Sequence, residues 1–426
     1  MSLLIKNGRV IDPSSGTDRI ADVLIEEGRI KGVASGLSSP GAETLDAAGM
    51  IVAPGFIDMH VHLREPGFEY AETIESGSRA AAAGGFTSIC CMPNTKPVND
   101  TPMVTSYIVE RARQLAVVNV FPIGAITKGS EGQELAAIGA MKAAGAVAIS
   151  DDGMPVMNSR VMRRAMEFAK SYDLPVIDHC EDLNLSAGGD MHEGAPSVRW
   201  GLRGIPAVSE DVMVARNLLL AEMIGARCHI AHISTKNSVG MVEFARRTNP
   251  NITCEATPHH FSLSDAEMEA YDSNYKMKPP LRSGCDRAAV VDGIASGAVT
   301  AIATDHAPHA GSEKMQEFER CPFGIIGLET ALALALENLV ATGKITLNRL
   351  VELFTTGPES VMRLGRGTLA PGAHGDVTLF STDLTWTYDV NQSLSRSRNT
   401  PFDARTFRGG PVATVVDGSV VWKREL

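Results

Sequence analysis

Four things are missing from this 426-residue chain: a C-x-x-C pair, a G-x-G-x-x-G after a first strand, a cluster of basic residues, and a long uncharged apolar run. Each absence removes a class of function. The seven cysteines are odd in number and scattered, which does not fit a small disulfide-bonded secreted scaffold. They read as reduced thiols of a cytosolic protein, with Cys90-Cys91 as strand packing. A net charge of −11 and the lack of a basic cluster argue against nucleic acid. Without the glycine fingerprint a dinucleotide site has no support. The opening Met1-Ser2-Leu3-Leu4-Ile5-Lys6 is too short an apolar run for a signal peptide. No stretch approaches the roughly 18 apolar residues of a membrane span. The greasiest helical candidate, Leu332 to Leu339, is flanked by Glu329 and contains Glu337. The expectation is a soluble, cytoplasmic protein that touches neither nucleic acid nor membrane.

What is present is 44% hydrophobic residues, enough for a large core plus a smaller unit. From Leu3 to about Ala53, short alternating runs are broken by Asn7-Gly8 and Glu27-Gly28, which are hairpin signals. The stretch from Gly367 onward has the same character, with a hairpin around Asp417-Gly418. The pattern predicts one β-sandwich built from both termini, residues 1–54 with 366–426. Residues 55–365 instead alternate apolar strands with helical stretches such as Ile74 to Ala83, Ser159 to Tyr172, Ser209 to Ile224 and Ser238 to Arg247. Strands ending near His62, Asn94, Ala125, Asp152, His179, His232, Pro258 and Asp305 give eight alternations, which is an α/β (β/α)8 TIM barrel. An open doubly wound sheet is the competing layout.

The most informative strand is Phe56-Ile57-Asp58-Met59-His60-Val61-His62-Leu63-Arg64. Side chains at i and i+2 share a face, so His60 and His62 project together, and Arg64 is expected to continue that face. Barrel active sites sit at the C-terminal ends of the strands. Read in order, those ends carry His60 and His62, Asn94, Asp151-Asp152, His179, His232 and Asp305. A lone histidine ending a strand is usually a packed rim residue. Several at successive strand ends, together with H-x-H, read as a metal site.

A catalytic zinc normally takes three protein ligands. The candidates therefore serve two ions, with His60, His62 and Asp305 on one and His179 and His232 on the other. A carboxylate from Asp152 can bridge them. Such a pair can hold a shared hydroxide as nucleophile for an amide-like carbonyl, with Asp305 shuttling its proton to the leaving nitrogen. Arg64 offers a fork for a carboxylate, Asn94 can donate and accept, and His309 lies on the loop after the eighth strand. The bland reading of Arg64 is a surface ion pair with Glu65 or Glu69. Manganese or cobalt suit the same ligands as zinc, and spacing alone leaves Asp151 and Asp152 equivalent.

The run Gly55 to Gly67, with Met92-Pro93-Asn94-Thr95, Ser150-Asp151-Asp152-Gly153, Pro258-His259-His260, Asp305-His306-Ala307-Pro308-His309 and Pro322-Phe323-Gly324, resembles the class I bacterial dihydroorotases of the amidohydrolase superfamily. The likeness covers nearly the whole chain. It implies reversible cyclisation of N-carbamoyl-L-aspartate to L-dihydroorotate in pyrimidine biosynthesis, with two zinc ions on His60, His62, His179, His232 and Asp305. It also implies that Asp152, the second Asp of D-D-G, is the bridge. His62, Arg64, Asn94 and His309 would bind substrate, and Phe323 and Gly324 would touch the pyrimidine ring. Homodimers and association with aspartate transcarbamoylase are implied as partners.

Two features bear on the alternatives. The fourth strand, Gly145 to Ser150, has no lysine, and Lys142 lies before it. That agrees with an Asp-bridged site and counts against hydantoinase-like, dihydropyrimidinase-like or allantoinase-like relatives, whose bridge is a carboxylated lysine. In Met277-Lys278-Pro279-Pro280-Leu281-Arg282, Lys278 stands where the family has an asparagine that touches substrate. A third reading, a non-catalytic homologue that scaffolds aspartate transcarbamoylase, expects missing ligands, whereas every position here is filled.

Overall fold

Gly55 is the single residue between two sheets. The computed structural model describes residues 2–268 and 271–425. Before Gly55 run β1 (Ser2–Asp12), β2 (Thr17–Glu26), β3 (Arg29–Ala34), β4 (Glu43–Asp46) and β5 (Ile51–Pro54). After it the barrel strands follow: β6 (Phe56–Val61), β7 (Phe86–Cys91), β8 (Asn119–Gly124), β9 (Ala148–Ile149) and β10 (Val176–Asp178). A short parallel pair, β11 (Met191–His192) and β12 (Gly204–Ile205), interrupts the series. It resumes with β13 (Cys228–Ile230), β14 (Ile252–Ala256) and β15 (Ala301–Ile302). The chain then returns to the first sheet with β16 (Val377–Thr387), β17 (Thr406–Val416) and β18 (Ser419–Lys423).

Strands β6 to β10 and β13 to β15 hydrogen-bond in sequence order. The ring is nearly closed by a parallel bridge between Val61 and His306, where the His62 amide donates to the His306 carbonyl at 2.9 Å. This is the expected TIM barrel rather than an open sheet. Each expected strand end lies one to three residues past the observed one. The candidate side chains other than His60, which is within β6, therefore sit just beyond the ladder, at the barrel mouth. Helices Ile74–Ala83, Ser159–Ser171, Val208–Ile224 and Lys236–Arg246 lie where the apolar periodicity puts them. Thr73, Asn158 and Thr235 cap three of them by accepting backbone N–H bonds at their starts.

The terminal strands form one continuous sheet, ordered β18-β17-β16-β5-β1-β2-β3 with β4 beside β1. It has its own apolar cluster, which includes Leu3, Ile5, Val23, Val52, Leu379 and Val415. Aromatic packing joins it to the barrel. Phe56 stacks on Phe354 at 5.1 Å between ring centroids and lies 5.9 Å from Phe380 of β16. The Thr378 hydroxyl accepts from the Phe56 amide and donates to the Gly85 carbonyl, and the Thr414 hydroxyl donates to Ala82. The apolar stretch Leu332 to Leu339 is helical and packs against β17 of the terminal sheet, with both of those leucines buried. Among the described residues no helix is long and apolar enough to cross a membrane.

The crossing admits no side chain. A Cβ on Gly55 would lie 2.1 Å from the Thr87 hydroxyl and 2.8 Å from its Cβ. Gly55→Ala is therefore expected to destabilise the protein by about 1–3 kcal/mol through overpacking. The change is readable as a lower urea midpoint; an unchanged midpoint would mean that β7 yields freely.

Candidate active site

Alternation along β6 puts Asp58, His60 and His62 on one face, and all three are buried. Asp58 braces the barrel closure, accepting from the hydroxyl and amide of Thr304 and from the His60 amide. Burial outweighs these bonds and pushes its carboxyl up to about 7. The other metal-ligand candidates come from turns after β9, β10, β13 and β15. Two are held at left-handed backbone angles, His232 at φ 32° and Asp305 at φ 46°. Such conformations cost energy and persist where the surroundings over-determine them, as at functional sites.

The six metal-ligand candidates converge. His60, His62 and Asp152 form one triplet, Asp152, His179 and His232 a second, and His60, His232 and Asp305 a third; within each, the ligating atoms lie within 4.8 Å of one another. Asp152 thus faces both histidine pairs. Asp151 does not, because its carboxylate is pinned by the amides of Ile126 and Thr127 and by the Thr127 hydroxyl. Lys142 is exposed on the helix Ile138–Ala144, far from a bridging role.

The hydrogen bonds fix what the rings present. His60 Nδ1 donates to Glu255 at 2.6 Å, so its Nε2 carries a lone pair. That atom is buried without a hydrogen-bond partner, as is Asp152 Oδ1, and the two lie 3.4 Å apart. His62 Nδ1 donates to the Asn94 carbonyl oxygen at 2.8 Å, leaving Nε2 facing Asp305 Oδ1 at 3.0 Å. His179 Nδ1 lies 2.8 Å from His232 Nε2, and its Nε2 donates to Glu181 at 3.2 Å. Lone pairs face lone pairs across spaces that lack a proton donor. Histidine and carboxylate donors in this arrangement fit divalent cations. The same field acts on protons: burial opposes charge on His60 and His179, but Asp305, Asp152 and Glu255 raise the first, and Asp152 and Glu181 raise the second to about 9.

Three acidic residues in this array, Asp58, Glu181 and Glu255, are not among the sequence candidates. Glu255 lies on β14, one residue before its end, and spans from His60 to His229, whose Nε2 lies at 3.2 Å. Burial would raise its carboxyl, yet His60 and His229 hold it down to about 2. A charged residue inside the apolar strand Ile252–Ala256 is the signal that could have found it.

On the substrate side, Arg64 does not continue the strand face. The strand stops at Val61, and Arg64 sits in a left-handed turn at φ 59°. Its guanidinium still reaches the mouth, donating from Nε to the Pro308 carbonyl at 3.1 Å and lying 3.3 Å from His309 Nε2. That nitrogen donates to the Phe323 carbonyl at 2.8 Å, so it cannot also accept from Arg64. Burial, then the Arg64 charge, hold the His309 imidazole down to about 2, which keeps the ring neutral.

Neither expected ion-pair partner takes Arg64. Glu65 binds Arg111 at 2.8 Å, and Glu69 accepts from the Gly67 amide. Phe323 and Gly324 lie beside His309, and Phe323 also lines a cavity of about 510 Å³ with Asp190, Leu202 and Arg203. Lys278 is committed elsewhere. Its ammonium lies 3.0 Å from Glu181 and 5.2 Å from the centre of the Phe323 ring.

The chain has clear relatives. A family model described as "Dihydro-orotase-like" matches residues 49–238. A protein named dihydroorotase from Solibacter usitatus is 78% identical over 425 residues, covering 100% of this chain and 99% of its own. Another of that name, from Pelotomaculum thermopropionicum, is 52% identical over 421 residues and covers 99% and 98%. Among solved structures, an L-hydantoinase from Arthrobacter aurescens superimposes with a TM-score of 0.90 at 25% identity, covering 100% of this chain and 96% of that one.

Orienting carboxylates of this kind usually matter nearly as much as the ligands they hold. Glu255→Gln, which keeps the shape but removes the charge, is expected to weaken metal binding roughly 10–100-fold. Competition with a chelator followed by metal analysis measures this, and unaltered retention would assign Glu255 to folding alone.

Proposed function

We propose, because this chain belongs to the dihydroorotase family, that it interconverts N-carbamoyl-L-aspartate and L-dihydroorotate as a metal-dependent cyclic-amide hydrolase. His60, His62 and Asp305 would hold one zinc ion, His179 and His232 a second, and Asp152 would reach both. When bound, such ions polarise an amide carbonyl and bring the pKa of water toward neutrality.

The residues of the chain then divide the remaining work. In the hydrolytic direction a C–O bond forms from water to the ring carbonyl carbon, and the C–N bond to the ring nitrogen breaks. Asp305 takes the proton from the water and delivers it to the departing nitrogen. In the biosynthetic direction it takes the proton from the ureido nitrogen and returns it to the leaving oxygen. Asp305 starts ionised: burial opposes its charge, but His60 and His62 hold its carboxyl below the usual range. Asn94 fixes the ring of His62 through its oxygen and keeps its amide N–H groups for substrate. Arg64 and Asn94 offer N–H donors to the substrate carboxylate, His309 lines the pocket beside Arg64, His62 adds a contact, and Phe323 with Gly324 flanks the ring.

The observation that carries this reading is the Arg64 guanidinium, which forms no ion pair among the described residues although it stands at the rim of the cluster. A dihydrouracil or hydantoin ring has no carboxylate to occupy it. The same family reading supports the two-zinc content, a homodimer, association with aspartate transcarbamoylase and a cytoplasmic setting. It also supports a division into a barrel of 55–365 and a terminal unit of 1–54 with 366–426.

Two outcomes test it. Dihydroorotate should be turned over in strong preference to dihydrouracil by protein containing two zinc ions per chain, and Asp305→Ala should nearly abolish turnover with the fold intact. Preference for dihydrouracil, or normal activity without the Asp305 carboxylate, would overturn the assignment. Arg64→Met should raise KM for dihydroorotate by roughly one to two orders of magnitude, as expected for loss of a charge-assisted pair; an unchanged KM would place the carboxylate elsewhere.

A further inference from the structure

Between β16 and β17 the chain leaves the terminal sheet and runs back to the barrel mouth. Along this strap Ser393, Ser395, Ser397 and Asn399 are buried, while Leu394, Arg396 and Arg398 between them are exposed. The alternation is that of an extended segment, but polar side chains face inward. Each finds a built partner. Ser395 donates to Glu72, which lies 3.3 Å from His306, and the Ser397 hydroxyl donates to the Ala71 carbonyl at 2.7 Å.

Asn399 goes furthest. Its amide nitrogen donates to the carbonyls of both Ala307 and Gly324 at 2.9 Å, and its oxygen accepts from the His309 amide at 3.0 Å. Its own carbonyl accepts from Ile326 at 2.9 Å. Both N–H groups and the side-chain oxygen are thus used, a pattern that aspartate, serine or threonine cannot reproduce. The two loops it ties leave little slack. A Cβ on Gly324 would lie 2.5 Å from the Ala307 carbonyl and 2.6 Å from the His309 ring.

We propose that Asn399 is a positioning residue for substrate recognition: from the strap of the terminal unit it holds His309 and the Phe323-Gly324 segment in register. The proposal rests on the reading that His309 and Gly324 face the substrate. It makes the terminal unit a contributor to the substrate pocket rather than an appendage. Asn399 touches none of the six metal-ligand candidates, so its loss should be felt in binding and not in the proton transfers.

Kinetics on the full-length, zinc-loaded enzyme test this with Asn399→Asp, Asn399→Ser and His309→Ala. Asn399→Asp sets an oxygen against two carbonyls and puts folding at risk; Asn399→Ser is the milder variant. Asn399→Ser should raise KM for dihydroorotate roughly tenfold, with kcat within about twofold and zinc content unchanged. Combined with His309→Ala, its effect should be less than the product of the two single effects. A lowered thermal midpoint with KM within about twofold of wild type, while His309→Ala raises KM, would make Asn399 merely structural and overturn the proposal. Loss of kcat or zinc at unchanged KM would overturn it as well. A His309→Ala variant with wild-type KM would instead refute the substrate reading, and the Asn399 proposal would fall with it.

Discussion

The barrel mouth is governed by charge balance among buried groups. Asp58, Asp152, Glu181, Glu255 and Asp305 are all buried within one network of histidines. Isolated buried carboxylates are costly, and each here is stabilised either by a hydrogen-bond donor or by an imidazole. The imidazoles of His60, His62 and His179 in turn have one nitrogen committed outward, to Glu255, Asn94 and Glu181, and one turned toward the centre. The result is a ring of outer acceptors that fixes tautomers and a core of inward lone pairs. Cations complete that arrangement more fully than protons can, because a proton satisfies only one pair of facing atoms at a time.

This constraint explains the placement of the site as much as its composition. A hydrogen-bonded strand has its backbone groups occupied, so the metal-ligand candidates other than His60, which lies on β6 itself, cluster one to three residues beyond the strand ends, where the chain can turn. Left-handed backbone at Arg64, His232 and Asp305 marks those turns. The cost of such conformations is offset by the rigid barrel below and by the loops packed around them. Around the site meet elements of quite different origin: a turn after β6, a loop after β15 and the strap before β17.

Legibility in the sequence tracked how local each signal was. Period-two alternation exposed His60 and His62, and the count of strand–helix units gave the barrel. Both depend only on neighbours in the chain. Asp151 and Asp152 could not be separated by spacing because both lie past the end of β9, and the choice is made by Thr127, 24 residues away. Glu255 is legible as an anomaly in its strand, but its target, His60, lies 195 residues away. Arg64 reaches its site by a turn that strand alternation does not foresee. Asn399 was hidden for the opposite reason: its strap alternates polar side chains inward, so a search for apolar periodicity passes over it.

The single-residue passage at Gly55 has a consequence for how this protein is made. Strand β5, immediately before it, pairs through Ile51–Pro54 with Val377–Phe380, more than three hundred residues downstream. Chains emerge from the ribosome N-terminus first and begin to fold as they appear. Here one edge of β5 waits for β16, which is among the last strands to be synthesised, and bringing those segments together costs chain entropy. A nascent chain stopped short of β16 leaves one edge of β5 unpaired beside the half-built barrel, and such an edge is a template for pairing with another chain. The seam between the two sheets is therefore also a checkpoint of synthesis: only a polypeptide that has reached β16 can close it.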